Sequence, residues 1–228
     1  MSSIKHSTTA SGTDRGTGEI HKAQWNDLHV RTGPLQAVSA AVNTNSIVLT
    51  LTSPLATSIF FGTFAGVATL ARINSITQTN VTWSLLRRKV NGTNTGVELW
   101  VGIPSGGTPG TTVTASLDAS TNADLCVSEW PASLGLAGTV DQAADATGTS
   151  PYQTTGFITP TNDKALVFVL FAINNGSILL TGPTGPFFSL VSSSFMAYGY
   201  CFAGKNPCQS SIPTQFNGVW ANMIISVV

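Results

Sequence analysis

Charge is scarce in this sequence. Only 9% of the 228 residues are Asp, Glu, Lys or Arg, against about 25% in an ordinary soluble domain. The ten acids and ten bases cancel. Such a surface lacks the net charge that keeps copies of a protein apart. The shortage is also local. Between Thr32 and Leu86 the only charged residue is Arg72, and between Ala165 and Val228 it is Lys205. Those stretches must face a core, a neighbouring subunit, or water through hydroxyl and amide groups. The only basic run is Arg87, Arg88 and Lys89. Nucleic acid is therefore not expected as a partner.

Other shortages exclude further classes. Three cysteines make no disulfide framework: Cys201 and Cys208 could pair across a loop, which leaves Cys126 over. A thiol-bearing core made in the cytoplasm fits better than passage through an oxidising compartment. Met1–Ala10 has no apolar core of the signal-peptide kind, and no run approaches membrane-spanning length. The sequons at Asn80, Asn91 and Asn175 carry little weight without a secretory route.

Catalytic and metal-binding patterns are missing too. No G-x-S-x-G elbow occurs, and no histidine beyond His29 could serve a triad in the later chain. His6, His21 and His29 lack a Cys or carboxylate pair to complete a metal shell, so they read as solvated or docking residues. Glu98 and Glu129 fall on predicted strands. They could face one another as a glycosidase pair requires, but charges that discourage unwanted strand pairing are the expected role. Asp118, Asp124, Asp141 and Asp145 form no D-x-D-x-D-G calcium loop. Cys126, inside a strand, reads as a core thiol. The expectation is a protein that is not an enzyme and holds no cofactor or metal.

Hydroxyl residues and short apolar runs are what the chain has in plenty. Ser and Thr account for 55 residues, and Gly and Pro separate the apolar stretches. Strands are expected at Ile47–Thr52, Val67–Ile73, Val81–Leu86, Val97–Ile103, Thr112–Leu117, Ala123–Trp130, Ala165–Ile173, Phe195–Phe202 and Gly218–Val228. Ala165–Ile173 is apolar on both faces, as a strand covered on each side must be. Asn91-Gly92 and Asn175-Gly176 are hairpin signals, and the Gly182–Pro186 segment reads as a rigid turn. Trp83, Trp100, Trp130 and Trp220 lie on or beside strands and mostly belong to a core. The expected fold is all-β: a two-sheet antiparallel β-sandwich of jelly-roll type spanning residues 36–228.

Residues 1–35 differ from the rest. The first 31 hold seven of the twenty charges and all three histidines. Residues 7–18 form a polar, Gly-rich arm with nothing to bury. Glu19–His29 reads as one short helix, with Ile20, Ala23, Trp25 and Leu28 making an apolar stripe. A helix this short needs a surface to dock on.

Within Ile4–Val30, the pattern K-H-x-T, a Gly/Thr/Asp arm and W-N-x-x-H falls on Lys5, His6, Thr8, Trp25, Asn26 and His29. It resembles a segment at the start of many tailed-bacteriophage virion proteins. The pattern T-W-x-L-x-R, N-G-T, V-E-L-W-x-G and S-E-W across Val81–Trp130, with the Thr/Gly-rich stretch Thr147–Thr161, is similar to a sandwich module of phage and bacterial surface proteins. The resemblance implies a virion structural protein: a capsid decoration, cement or head-fibre subunit. Lys5, His6, Trp25, Asn26, Leu28 and His29 would attach it to the major capsid protein or another virion protein. A homo-oligomer is expected, a trimer in the first instance, burying charge-free surface. The alternative is a receptor-binding tail protein recognising host-surface glycan. In either case the expected location is the virion, after synthesis in the host cytoplasm, with neither nucleic acid nor membrane as partner.

Overall fold

Alternating and doubly apolar runs become thirteen strands among the described residues. The computed structural model describes residues 33–67, 71–174, 187–192, 196–203, 205–213 and 218–228. The expected helix at 19–29, the Asn175-Gly176 hairpin and the Gly182–Pro186 turn lie outside them. The chain divides between Gly33 and Pro34, and the strands all belong to the unit from Pro34 to Val228.

The first six strands are β1 (Gln36–Thr50), β2 (Ile59–Val67), β3 (Ile73–Thr77), β4 (Val81–Asn91), β5 (Thr95–Pro104) and β6 (Thr112–Trp130). They form one antiparallel sheet in the order β1-β6-β2-β5-β4, with β3 on the other half of β6. The rest are β7 (Val140–Gly148), β8 (Tyr152–Thr154), β9 (Leu166–Asn174), β10 (Phe188–Ser192), β11 (Met196–Phe202), β12 (Ser211–Pro213) and β13 (Val219–Val227). Five of these make the second sheet, β10-β11-β9-β13-β7, and β8 pairs with β12. The two-sheet antiparallel sandwich read from the sequence is thus the architecture of these residues. Its path is simpler than the interleaved path of a jelly roll: the earlier strands build one sheet and the later strands the other.

Three apolar layers result. Between the sheets lie Phe61, Leu99, Trp130, Phe168, Tyr198 and Met223 with their neighbours. Trp130 is enclosed, its ring edge-on to Phe168 at 5.9 Å and to Tyr200 at 4.9 Å. Such edge-to-face contacts add about 0.5–1.5 kcal/mol each beyond area burial. A second layer covers the outer face of the first sheet, where Phe60, Phe64, Trp100 and Leu125 meet Ile47, Leu49, Ile73 and Val113. The third lies on the outer face of the second sheet, where Ile158, Cys208 and Ile212 cover Val169, Phe171 and Ile224. Strand β9 is buried on both faces, as its sequence requires.

Glycines make room for two of the tryptophans. Trp83 and Gly102 are cross-strand partners, and a Cβ at Gly102 would lie 2.8 Å from the Trp83 ring. Trp220 and Gly148 repeat the arrangement on the second sheet, where a Cβ would come within 2.4 Å of the ring. Each indole occupies the space that its partner's missing side chain leaves.

Candidate functional site

The attachment residues read from the sequence, Lys5, His6, Trp25, Asn26, Leu28 and His29, lie outside the described residues. Within the sandwich the chemistry-bearing side chains are its carboxylates, its thiols and its exposed aromatics. Most of the carboxylates are tied into the scaffold.

Glu98 and Glu129 are not the solvent-facing charges expected of them; each is 1% exposed. Glu98 stands on β5, between β2 and β4, in the outer apolar layer of the first sheet. Arg88 donates to it at 2.7 Å, Trp100 Nε1 at 2.7 Å and the Ile73 backbone N–H at 3.3 Å. Burial lifts its carboxyl above the usual range, and the Arg88 and Trp100 bonds work against that lift. Glu129, on β6, accepts from Gln36 and from the Leu55 backbone N–H at 2.8 Å, tying the start of β1 to the β1–β2 connection. Both glutamates are structural because the groups around them are backbone and strand residues that they hold in place.

The three cations of β4 are dealt to two faces by strand alternation. Arg88 turns outward to Glu98. Arg87 and Lys89 turn to the other face and meet Asp145 of β7 at 2.5 and 2.6 Å. Burial works to raise the Asp145 carboxyl, but the Lys89 and Arg87 contacts prevail and hold it below the usual range. Asn91 extends the closure by donating to the Trp220 carbonyl at 2.9 Å, and Thr95 donates to the Val219 carbonyl at 3.1 Å. One edge of the sandwich is therefore laced shut by charge and amide contacts between its two sheets.

Asp118 and Asp141 serve as local staples. Asp118 accepts from the Arg72 backbone N–H at 2.7 Å. Asp141 accepts from the hydroxyl of Thr161, its backbone N–H at 2.8 Å, and the Ser226 hydroxyl at 3.2 Å. Burial opposes ionisation of Asp141, yet the Thr161 and Ser226 bonds hold it below the usual range. Among the described residues no three His, Cys, Asp or Glu side chains gather as a metal-binding group.

Asp124 is the exception. It sits on β6 between Ala41 of β1 and Ala65 of β2 and is 3% exposed, and its Oδ1 accepts no hydrogen bond. Burial alone pushes its carboxyl up to about 7. Tyr198 donates to its backbone carbonyl at 3.1 Å. Cys126, two residues along the same face, is pushed up to about 12, mainly by burial and secondarily by the Asp124 charge. Cys201 and Cys208 are also buried thiols, unbridged. Cys201 is pushed up to about 12 by burial, so none of the three has thiolate character at neutral pH.

The four outermost strands of the two large sheets differ. β4 and β7 carry the paired charges, and β10 is five residues long. β1 is fifteen residues long with no charge and no proline, and among the described residues it pairs only with β6. Few large aromatics face water: Tyr152 is 68% exposed, Phe157 70% and Phe188 62%. A shallow cavity of about 280 Å³ lies between the β1–β2 connection, the end of β5 and the turn after β6, lined by Ser58, Ile59, Ile103 and Leu136. Sequence reasoning found the buried tryptophans. It missed the edge contrast, because which strands lie outermost is a property of sheet order and not of any one segment.

Comparisons of the chain with protein families, curated proteins and solved structures return no match.

Proposed function

We propose that this chain is an accessory structural protein of a tailed-phage virion, a decoration, cement or head-fibre subunit that attaches through its N-terminal segment. The observation that carries the reading is the Trp25–His29 pattern, W-N-x-x-H, standing ahead of a separate unit that holds the described strands. Support comes also from the carboxylates, most of which are engaged in holding strands. Ordering a Gly-rich arm costs about 1–2 kcal/mol per backbone residue, so docking needs a compact anchor. Trp25, with Leu28 and His29 three and four residues on, supplies one. Aromatic anchors of this kind contribute about 2 kcal/mol or more.

The test is attachment to purified particles. Deleting residues 1–31 is expected to leave a folded body that no longer binds them. Trp25→Ala is expected to weaken binding about 30-fold, the equivalent of 2 kcal/mol, with little change in melting temperature. Unfolding of the body by Trp25→Ala, with normal binding by the fraction that survives, would overturn the reading.

The exposed rings of Tyr152 and Phe157 favour a second reading, a receptor-binding tail protein whose aromatics stack on host-surface sugars. The copy number per particle separates the two: hundreds for decoration, a handful for a tail. Glycan binding that is lost in Tyr152→Ala and Phe157→Ala would favour the second.

A further inference from the structure

We propose that β1 is a self-pairing edge through which two copies of the chain join their first sheets into one continuous antiparallel sheet about a two-fold axis. The inference rests on the edge itself and stands apart from the virion reading.

An open strand edge presents unpaired N–H and C=O groups and invites another strand. Proteins that must not pair there shorten the strand, bend it, or place a charge or proline on it. Three of the four outermost strands of the two large sheets carry such a device: the cations of β4, the aspartates of β7, the brevity of β10. β1 carries no charge and no proline over its fifteen residues, and its one irregularity, between Thr44 and Ser46, leaves the segment before it straight.

The ladder with β6 is regular from Gln36 to Thr44 and shifts register between Thr44 and Ser46. That nine-residue segment is the part fit to receive a neighbour, and its middle is Ala40. In an antiparallel pair a two-fold must relate a residue to its own copy, since any other centre would set opposite faces against each other. Centring on Ala40 places Val38 against Val42, Ser39 against Ala41, and Ala37 against Asn43 of the second copy. Val38, Ala40 and Val42 are half-buried and share one face, so cross-strand pairing completes the burial of an apolar row. Ala37, Ser39, Ala41 and Asn43 are exposed on the other face, small and uncharged. No charged residue stands in this segment, so no like charges are brought together across the axis. A second copy is therefore the occupant that fits. This replaces the trimer expected from charge scarcity alone with a two-fold pair.

Sedimentation equilibrium of the full 23.7 kDa chain at tens of micromolar should report twice that mass. Two double variants then test the register, because residues 37 and 43 face each other twice in the pair. A37K/N43E sets Lys against Glu at both places and is expected to keep the dimer. A37K/N43K sets Lys against Lys and is expected to weaken it at least tenfold, with the circular dichroism spectrum unchanged. Ala40→Cys places a thiol on the axis in a chain whose three native cysteines are buried, and mild oxidation should link two chains. A wild-type monomer at these concentrations overturns the proposal. So does equal association by the two double variants, or failure of Ala40→Cys to cross-link in a folded protein.

Discussion

The two flanks of the sandwich handle charge in opposite ways. At the β4–β7 flank three cations meet two carboxylates, each pair bridging separate strands. At the β1–β6 flank the edge strand carries no charge, Glu129 of β6 answers only to amide donors, and Asp124 is buried with an unpartnered oxygen. A chain with so few charges has placed them where two sheets or two layers must be held in register. The other flank is held by apolar packing, by the amide bonds of Glu129 and by a ladder that is open on one side.

The largest effect should come from the charged flank. Glu98→Ala removes the partner of Arg88 and leaves the Trp100 and Ile73 donors without an acceptor. Breaking a buried pair from one side costs about 3–5 kcal/mol. Urea unfolding should show a loss of that size, and a loss below about 1 kcal/mol would mean that the Glu98 bonds are not holding the outer layer.

Next is Asp124, on the other flank. Its folded pKa near 7 lies above the ordinary value of 3.8. Its neutral form is therefore the one the fold accepts. The associated stability is fully present below about pH 4 and is lost as pH rises through 7, after which the slope flattens. Asp124→Asn should remove that slope and exceed the wild type at pH 8 by a few kcal/mol, on the scale of about 1.4 kcal/mol per pH unit. Melting curves from pH 4 to 8 check both the sign and the window.

Asp145→Ala should cost less, about 1 kcal/mol, because Arg87 is 40% exposed and its attraction is screened. The deficit should shrink in 1 M salt, where the wild type loses the same attraction. The smallest effect belongs to the open edge. A37K/N43K should alter the unfolding free energy of the monomer by no more than about 0.5 kcal/mol, as exposed substitutions usually do. A large loss would show that β1 already has a partner within its own chain.

How much of the fold was legible beforehand depended on whether a strand leaves a local trace. Alternation marked Thr112–Leu117, and double apolarity marked the buried β9. Asn91-Gly92 marked the hairpin between β4 and β5, where Gly92 takes φ 58°. β2 escaped: its sequence IFFGTFAGV is buried at every position, so it shows no alternation, and its two glycines read as breaks. Of the strand expected at Val67–Ile73, Val67 closes β2 and Ile73 opens β3, and residues 68–70 lie outside the described residues. Thr112–Leu117 and Ala123–Trp130 proved to be one strand, β6, continuous through the polar residues Asp118–Asn122. The run Arg87-Arg88-Lys89 gave no sign that its members answer to different acids, since Asp145 is more than fifty residues away in sequence. For the candidate site, the core role of the tryptophans was readable from composition. The burial of Glu98 and Glu129 was not, since it follows from neighbours that only the sheet order supplies.

The path of the chain has a consequence for how the protein is made. Among the described residues it crosses from the first sheet to the second once, through residues 131–139 between β6 and β7. A ribosome therefore completes every strand of one sheet before it begins the other. Until β9, β11 and β13 emerge, the nascent chain offers Phe61, Leu99 and Trp130 to whatever lies nearby. The same crossing is a place where the backbone can be cut without severing any ladder. Two fragments divided there would each carry a whole sheet, and the apolar layer between them would be their means of finding one another.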